Sequence, residues 1–215
     1  MSNPHHILKA LLAGLLLTAG MSKAVAQDMQ MPMSMHQHSS AQNRSVFLLM
    51  MDTMMIAMDA VGRGHSTDQE FILEMIPHHR GAIDMARYEI IHGKSFEMIQ
   101  LAKSILAEQS SELSQMELWI KQHLATGEVP ESPALEAFGQ CMETMMAQMP
   151  SSGKLTNTDY AFAAVMIPHH QAAVDMAGII LTHGTDLQAL AFAKGLVSNE
   201  QIEIEQMHSY LKKVL

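Results

Sequence analysis

Met75-Ile76-Pro77-His78-His79 and Met166-Ile167-Pro168-His169-His170 are one five-residue segment written twice, ninety-one positions apart. The same offset carries Asp84-Met85-Ala86 onto Asp175-Met176-Ala177 and His92-Gly93 onto His183-Gly184. It takes Asp52-Thr53-Met54-Met55 to Glu143-Thr144-Met145-Met146, Phe71 to Phe162, and Gln115-Met116 to Gln206-Met207, without an insertion. The chain therefore holds two copies of one unit, over residues 44–125 and 135–215. The intervening 126–134 reads as a linker, with Gly127, Pro130 and Pro133 as its breakers. Two copies are too few for a solenoid, so the fold is that of a duplication.

Each unit reads as three helices, and no stretch sustains the period-two alternation of a strand, so the fold class is all-α. In the first copy helix one runs from Val46 to about Ala60 and stops at Gly62-Arg63-Gly64. Helix two opens at Thr67, with Glu70 three residues on as a capping box. It closes at His92, with Gly93 placed as a C′ residue. Pro77 lies inside it, removing one donor and freeing the Leu73 carbonyl, so an interruption or kink is expected there. Helix three covers roughly Ser95 to His123.

The donor atoms follow the same periodicity. At about 100° per residue, Ile72, Ile76, Ile83, Ala86 and Ile90 share one face of helix two, and His79 falls within it. His78, Met85 and His92 form a second stripe at spacings of seven. His169, Met176 and His183 repeat that stripe, while His170 repeats His79. A buried histidine of this kind ordinarily bonds a carbonyl, and one freed by the proline is at hand. Each step of seven residues spans about 10 Å of helix, so one ion cannot bridge His78 and His92. A metal site would have to recruit Met75, three residues before His78 (Met166 in the second copy), or thioethers from helix one. Helix one carries Met50, Met51, Met54 and Met58 on the face of Phe47. Cys141, Met142, Met145 and Met149 repeat them on the face of Phe138. A methionine stripe is ordinarily core, yet methionine specifies packing poorly and its thioether is a soft ligand suited to Cu(I).

The N-terminus adds a third cluster. Residues 1–26 read as a signal peptide: a lone Lys9, an apolar run from Leu11 to Ala19, and a small-residue site at Ala24-Val25-Ala26. Cleavage is expected after Ala26, which directs the chain to the periplasm and leaves no stable membrane span. Residues 27–43 then form a Met/His-rich arm, expected to be flexible, with Met29, Met31, Met33, Met35, His36 and His38. No hydrophobic period gives these methionines a core to fill, so they suit capture of Cu(I), with imidazole serving Cu(II) as well. Methionine accounts for 22 of the 215 residues, which points the same way. Loss of the leader removes Lys9 and Lys23 and no acid, leaving 11 basic residues against all 22 acidic ones. That balance excludes nucleic-acid partners and favours cations. Cys141 is the sole cysteine, so no internal disulfide exists to stabilise the fold.

With its paired Met-Ile-Pro-His-His segments, each followed by Asp-Met-Ala and His-Gly, residues 44–215 resemble the CopM-like periplasmic copper-binding family, a bacterial domain of unknown function. The resemblance implies a ferritin-like helical bundle built from helices two and three of each unit. By motif position it implies metal roles for Met75, His78, His79, Met85, Met166, His169, His170 and Met176.

The function expected is therefore a non-enzymatic copper buffer or chaperone in metal tolerance. It would bind Cu(I), with Cu(II) or Ag(I) as further possibilities, and periplasmic copper-export components are possible partners. Two other readings compete. A ferritin-like di-iron oxidase needs paired Glu-x-x-His motifs. Glu89-Ile90-Ile91-His92 and Glu205-Gln206-Met207-His208 match that pattern, but Glu89 maps onto Ile180 and Glu205 onto Ser114. A structural or partner-binding helical module without metal is the third reading.

Overall fold

The computed structural model describes residues 44–123 and 133–215. The expected leader, the arm with Met29, Met31, Met33, Met35, His36 and His38, and most of the linker lie outside the described residues. Within them stand six α-helices and no strand: α1 (Val46–Asp59), α2 (Thr67–His92), α3 (Phe96–Gln122), α4 (Pro133–Gln148), α5 (Thr158–His183) and α6 (Leu187–Val214). A 3₁₀ turn, Ser152–Lys154, precedes α5. The limits of α2 map onto those of α5 at the repeat offset, so the two copies fold in register. α4 opens on Pro133, inside the stretch read as linker, where a first-turn proline forfeits no helix bond.

The helix starts are set by local side chains. The Ser66 hydroxyl accepts from Gln69 N at 3.0 Å, and Gln69 Oε1 accepts from His65 N at 2.7 Å. The N-cap of α2 is thus Ser66, one residue earlier than the capping box read from the sequence, and Gln69 bonds the amide of the residue before the cap. Glu70 instead reaches back to the Gly64 amide. Asn157 caps α5 through Tyr160 N at 2.8 Å, and Asp186 caps α6 through Gln188 N and Ala189 N. Both prolines are carried inside unbroken helices, so Pro77 does not interrupt α2.

Gly93 and Gly184 do close α2 and α5, but in extended backbone with φ of −66° and −75°, not in the left-handed region. Any residue could adopt that conformation. The need for glycine is one of room: a Cβ at Gly93 would sit 2.6 Å from Glu89 O, and at Gly184 2.6 Å from Asp68 Oδ1.

The two copies interlock. Asp159, at the start of α5, accepts from Lys94 N at 2.8 Å and Ser95 N at 2.7 Å in the α2–α3 turn. Its counterpart Asp68, at the start of α2, accepts from Thr185 N and Asp186 N in the α5–α6 turn, at 3.0 and 3.2 Å. The aromatic core repeats this exchange. Phe47 of α1 meets Phe162 of α5 at 6.2 Å, and Phe138 of α4 meets Phe71 of α2 at 6.3 Å. All four rings are fully buried. α2 packs on α1, α3 and α5, and α5 packs on α2, α4 and α6. These two helices are therefore central and bury far more than one face.

Candidate metal centre

Where α2 crosses α5, the two copies of the His-His pair meet. The rings of His78 and His169 lie 3.8 Å apart between centroids, with planes 33° from parallel. All four imidazoles (His78, His79, His169 and His170) have no solvent exposure. The second histidine of each pair is held by a carboxylate from the third helix of its own copy. His79 Nε2 is 2.9 Å from Glu112 Oε2, and His170 Nε2 is 2.9 Å from Glu203 Oε2. His169 Nε2 lies 3.2 Å from the His78 carbonyl oxygen. A carbonyl can only accept, so His169 carries its proton on Nε2 and turns a bare Nδ1 lone pair inward.

The Nδ1 atoms of His79, His169 and His170, and both ring nitrogens of His78, have no hydrogen-bond partner. Five of eight ring nitrogens are thus buried without a partner, where each such group ordinarily costs about 1–3 kcal/mol. Burial, reinforced by the neighbouring imidazoles, holds His78 and His169 well below the usual histidine pKa. Both are neutral at physiological pH, the form in which imidazole binds a metal. His170 moves the other way. Burial opposes its charge, but Glu200, Glu203 and Glu108 outweigh it and raise its pKa.

A carboxylate and amide layer backs the imidazoles. Gln109 Nε2 donates to Glu200 Oε1 at 3.0 Å, and Asn199 donates to Glu108. Burial pushes Glu200 up to about 8, with His170 pulling against it and Glu203, Glu112 and Glu108 adding to it. Sequence reasoning missed Glu112, Glu203 and Glu200. The repeat offset could have found the first two, because it carries Glu112 onto Glu203 as it carries His79 onto His170. The expected carbonyl partner for His79 and His170 is replaced by these carboxylates.

Met75, Met85, Met166 and Met176 are fully buried on α2 and α5, within ten residues of the imidazoles along the same helices. On the neighbouring helices Met51, Met54, Met58, Met142 and Met145 are buried in the hydrophobic core, while Met50, Cys141 and Met149 are half-buried against it. Burial pushes the Cys141 thiol up to about 11, with Asp175 and Glu74 adding to the shift. It is a poor nucleophile. His92 and His183 are exposed, and the His92 ring lies against Tyr88, tilted by 35° at 4.2 Å between centroids. Fourteen residues of helix, about 21 Å, separate His92 from His78, so the expected stripe does not converge. Glu89 is fully buried, and burial together with its Asp159 neighbour pushes it up to about 8.

Among the described residues no three His, Cys, Asp or Glu side chains converge to hold one ion. The further soft donors carried by the same two helices are the thioethers of Met75, Met85, Met166 and Met176. The donors present, neutral imidazole and thioether, are those that suit copper. Glu112 and Phe192 also border a cleft of about 530 Å³ between α3 and α6, and the Phe192 ring lies 6.2 Å from that of His79.

The family described as a domain of unknown function, DUF305, matches the chain twice, over residues 10–120 and 119–211. Solved structures are similar over most of the chain. CopM in a Cu(I)-bound form is 30% identical, covering 68% of this chain and 96% of its own, with a TM-score of 0.53. CopM has also been solved in Ag-bound and Cu(II)-bound forms. A DUF305 fragment from Deinococcus radiodurans (23% identity, 71% and 99% covered, TM-score 0.54) shares the fold. So does a DUF305 protein from Streptomyces coelicolor (23% identity, 69% and 92% covered, TM-score 0.57). No curated protein matches the chain. Among the described residues no helix is long and apolar enough to cross a membrane.

Proposed function

The chain belongs to the DUF305 family, and on that premise we propose that it binds copper as a non-enzymatic buffer or chaperone in the periplasm. One observation carries the reading: four fully buried imidazoles packed across the repeat, with five ring nitrogens unpartnered. A fold selected for stability alone would replace such groups by apolar ones, because unpaired buried polar atoms are destabilising. A soft cation offers a partner to the lone pairs among them, one per neutral imidazole, and neutral His78 and His169 require no proton to leave first. The similarity to CopM, solved with Cu(I), Cu(II) and Ag, supports the choice of metal. In this reading the arm of residues 27–43 collects ions and the helical body stores them; Ag(I), sharing the same ligands, is an alternative cargo.

Anaerobic titration with Cu(I) against a chromogenic chelator, with and without residues 27–43, tests this. Tight binding kept by the shortened chain places the principal sites in the body. Binding lost with the arm reduces the body to scaffold, and no binding in either form sinks the proposal.

A second reading rests on the carboxylates. Glu112 and Glu203 obey the repeat and pair with His79 and His170, the symmetry that Glu89 and Glu205 lacked, although among the described residues no third His, Asp or Glu joins either pair to complete an iron site. Rapid oxygen consumption on adding Fe(II), abolished in Glu203→Gln, would favour that reading over copper storage.

A further inference from the structure

Away from the imidazoles, a cavity of about 340 Å³ is walled by the first helices of both copies. From α1 come Met55, Met58 and Asp59; from α4 come Met142, Glu143 and Met146; Glu74 reaches in from α2. Met55 and Met146 occupy equivalent positions of the repeat. The duplication thus brings the same thioether from each copy to one cavity, which a single copy could not build. Met55 and Met58 are three apart and Met142 and Met146 four apart, so each helix presents two thioethers on one side. Met58 and Met142 are buried, whereas Met55 and Met146 are half-buried and reachable from solvent.

We propose that Met55, Met58, Met142 and Met146 form a second metal site, a thioether pocket for a soft monovalent cation, Cu(I) or Ag(I). Four neutral sulfurs offer nothing to a hard divalent ion and suit a soft one. Asp59 and Glu143, both exposed beside the pocket, supply negative potential that attracts a cation to it. Glu74 completes the wall, and its carboxyl is pushed up to about 7 by burial and by Glu70, against the pull of Arg63. In contrast to the imidazole centre, this pocket is open and lacks imidazole, so it exchanges its cargo with solvent directly. The site extends the copper-binding reading and shares its choice of metal, but it rests on different residues.

The test is an Ag(I) titration of the full chain labelled with ¹³C at the methionine methyls, followed by NMR together with the histidine ring signals. The methyl signals of Met55, Met58, Met142 and Met146 are expected to shift together, over one added equivalent. Gly139 lines the same cavity, and a Cβ there meets nothing within 4 Å. Gly139→Phe should therefore enter the pocket from an unobstructed Cβ, abolish those four shifts and lower Ag(I) uptake by about one equivalent. The paired conservative variant Met55→Leu/Met146→Leu should abolish the remaining Met58 and Met142 shifts and lower uptake equally, with unchanged helix content. Histidine signals that respond while these four methyls stay fixed would overturn the thioether site and leave the imidazole reading standing. Ag(I) uptake undiminished in Met55→Leu/Met146→Leu would show that these thioethers hold no cation together and overturn it too. A chain in which no signal responds to Ag(I) refutes both.

Discussion

Replacing Glu200 by glutamine should change how stability depends on pH, by an amount that follows from one buried carboxyl. Glu200 is 3% exposed, hydrogen-bonded to Gln109, and pushed from the ordinary 4.5 to about 8. A group whose folded pKa is raised contributes fully below its unfolded pKa and loses that contribution as pH rises through the folded value. Here the window runs from about pH 4.5 to about pH 8. At roughly 1.4 kcal/mol per pH unit, the loss is about 1 kcal/mol at pH 5 and about 3 kcal/mol at pH 7. The amide introduced by Glu200→Gln would keep the acceptor for Gln109 Nε2 and offer a donor to Gln109 Oε1, which has no partner now. The advantage of the variant over the parent should therefore grow by about 2 kcal/mol between pH 5 and pH 7. Urea denaturation of metal-free protein at both pH values measures this; with a slope of roughly 2 kcal/mol/M, the midpoint difference should widen by about 1 M. Every other titrating group cancels in the comparison to the extent that it is not coupled to Glu200. A stability difference that is the same at pH 5 and pH 7 would refute the reasoning, because it would mean that Glu200 is ionised inside the fold.

His78→Leu removes a buried ring with two unpartnered nitrogens, so metal-free stability should rise by about 1–3 kcal/mol while Cu(I) affinity falls; a lower urea midpoint would show that the ring is satisfied. Gly93→Ala and Gly184→Ala should each cost about 1–3 kcal/mol through contact with Glu89 O and Asp68 Oδ1, and an unchanged midpoint would mean that the close approach imposes nothing. Asp68→Ala and Asp159→Ala each free turn amides of the opposite copy and should lower stability by about 1–3 kcal/mol at constant helix content by circular dichroism. Equal stability with the parent protein would show that the copies are held together by their cores alone. Because burial depresses His78 and His169, acid adds a further loss: their contribution is complete above pH 6.5 and disappears as pH falls towards their lowered values. Metal-free His78→Leu should accordingly denature less steeply below pH 6.5, and an identical acid profile would contradict the shift.

Much of the architecture was legible before any coordinates. The offset of ninety-one residues, the six helices and the limits of α2 follow from repetition, periodicity and breakers, all properties of neighbouring residues in the chain. So does the donor set, because residue types are chemistry whatever the fold. The angular reading of α2 did less well. It set His78 and Met85 apart from the apolar face, yet both are buried as fully as His79 on that face, because α2 packs against several helices and periodicity assumes one buried face. The same reading put Met55 outside the metal-bearing face of α1, although Met55 and Met146 share a cavity.

Which donors meet was decided in three dimensions. Spacing along a helix fixes a side chain's angle about its own axis and says nothing about which other helix faces it. His92 obeys the stripe and ends exposed, while Glu112 and Glu203 lie thirty-three residues from the histidines they hold. Nor does the sequence state that each copy's turn is fastened by the other copy's aspartate, since that depends on how two equivalent units dock. The sequence by itself determined a duplicated helical protein rich in soft donors. Only the docking of α2 against α5 brought His78 onto His169, because burial of two central helices forces equivalent residues together where no local rule can place them.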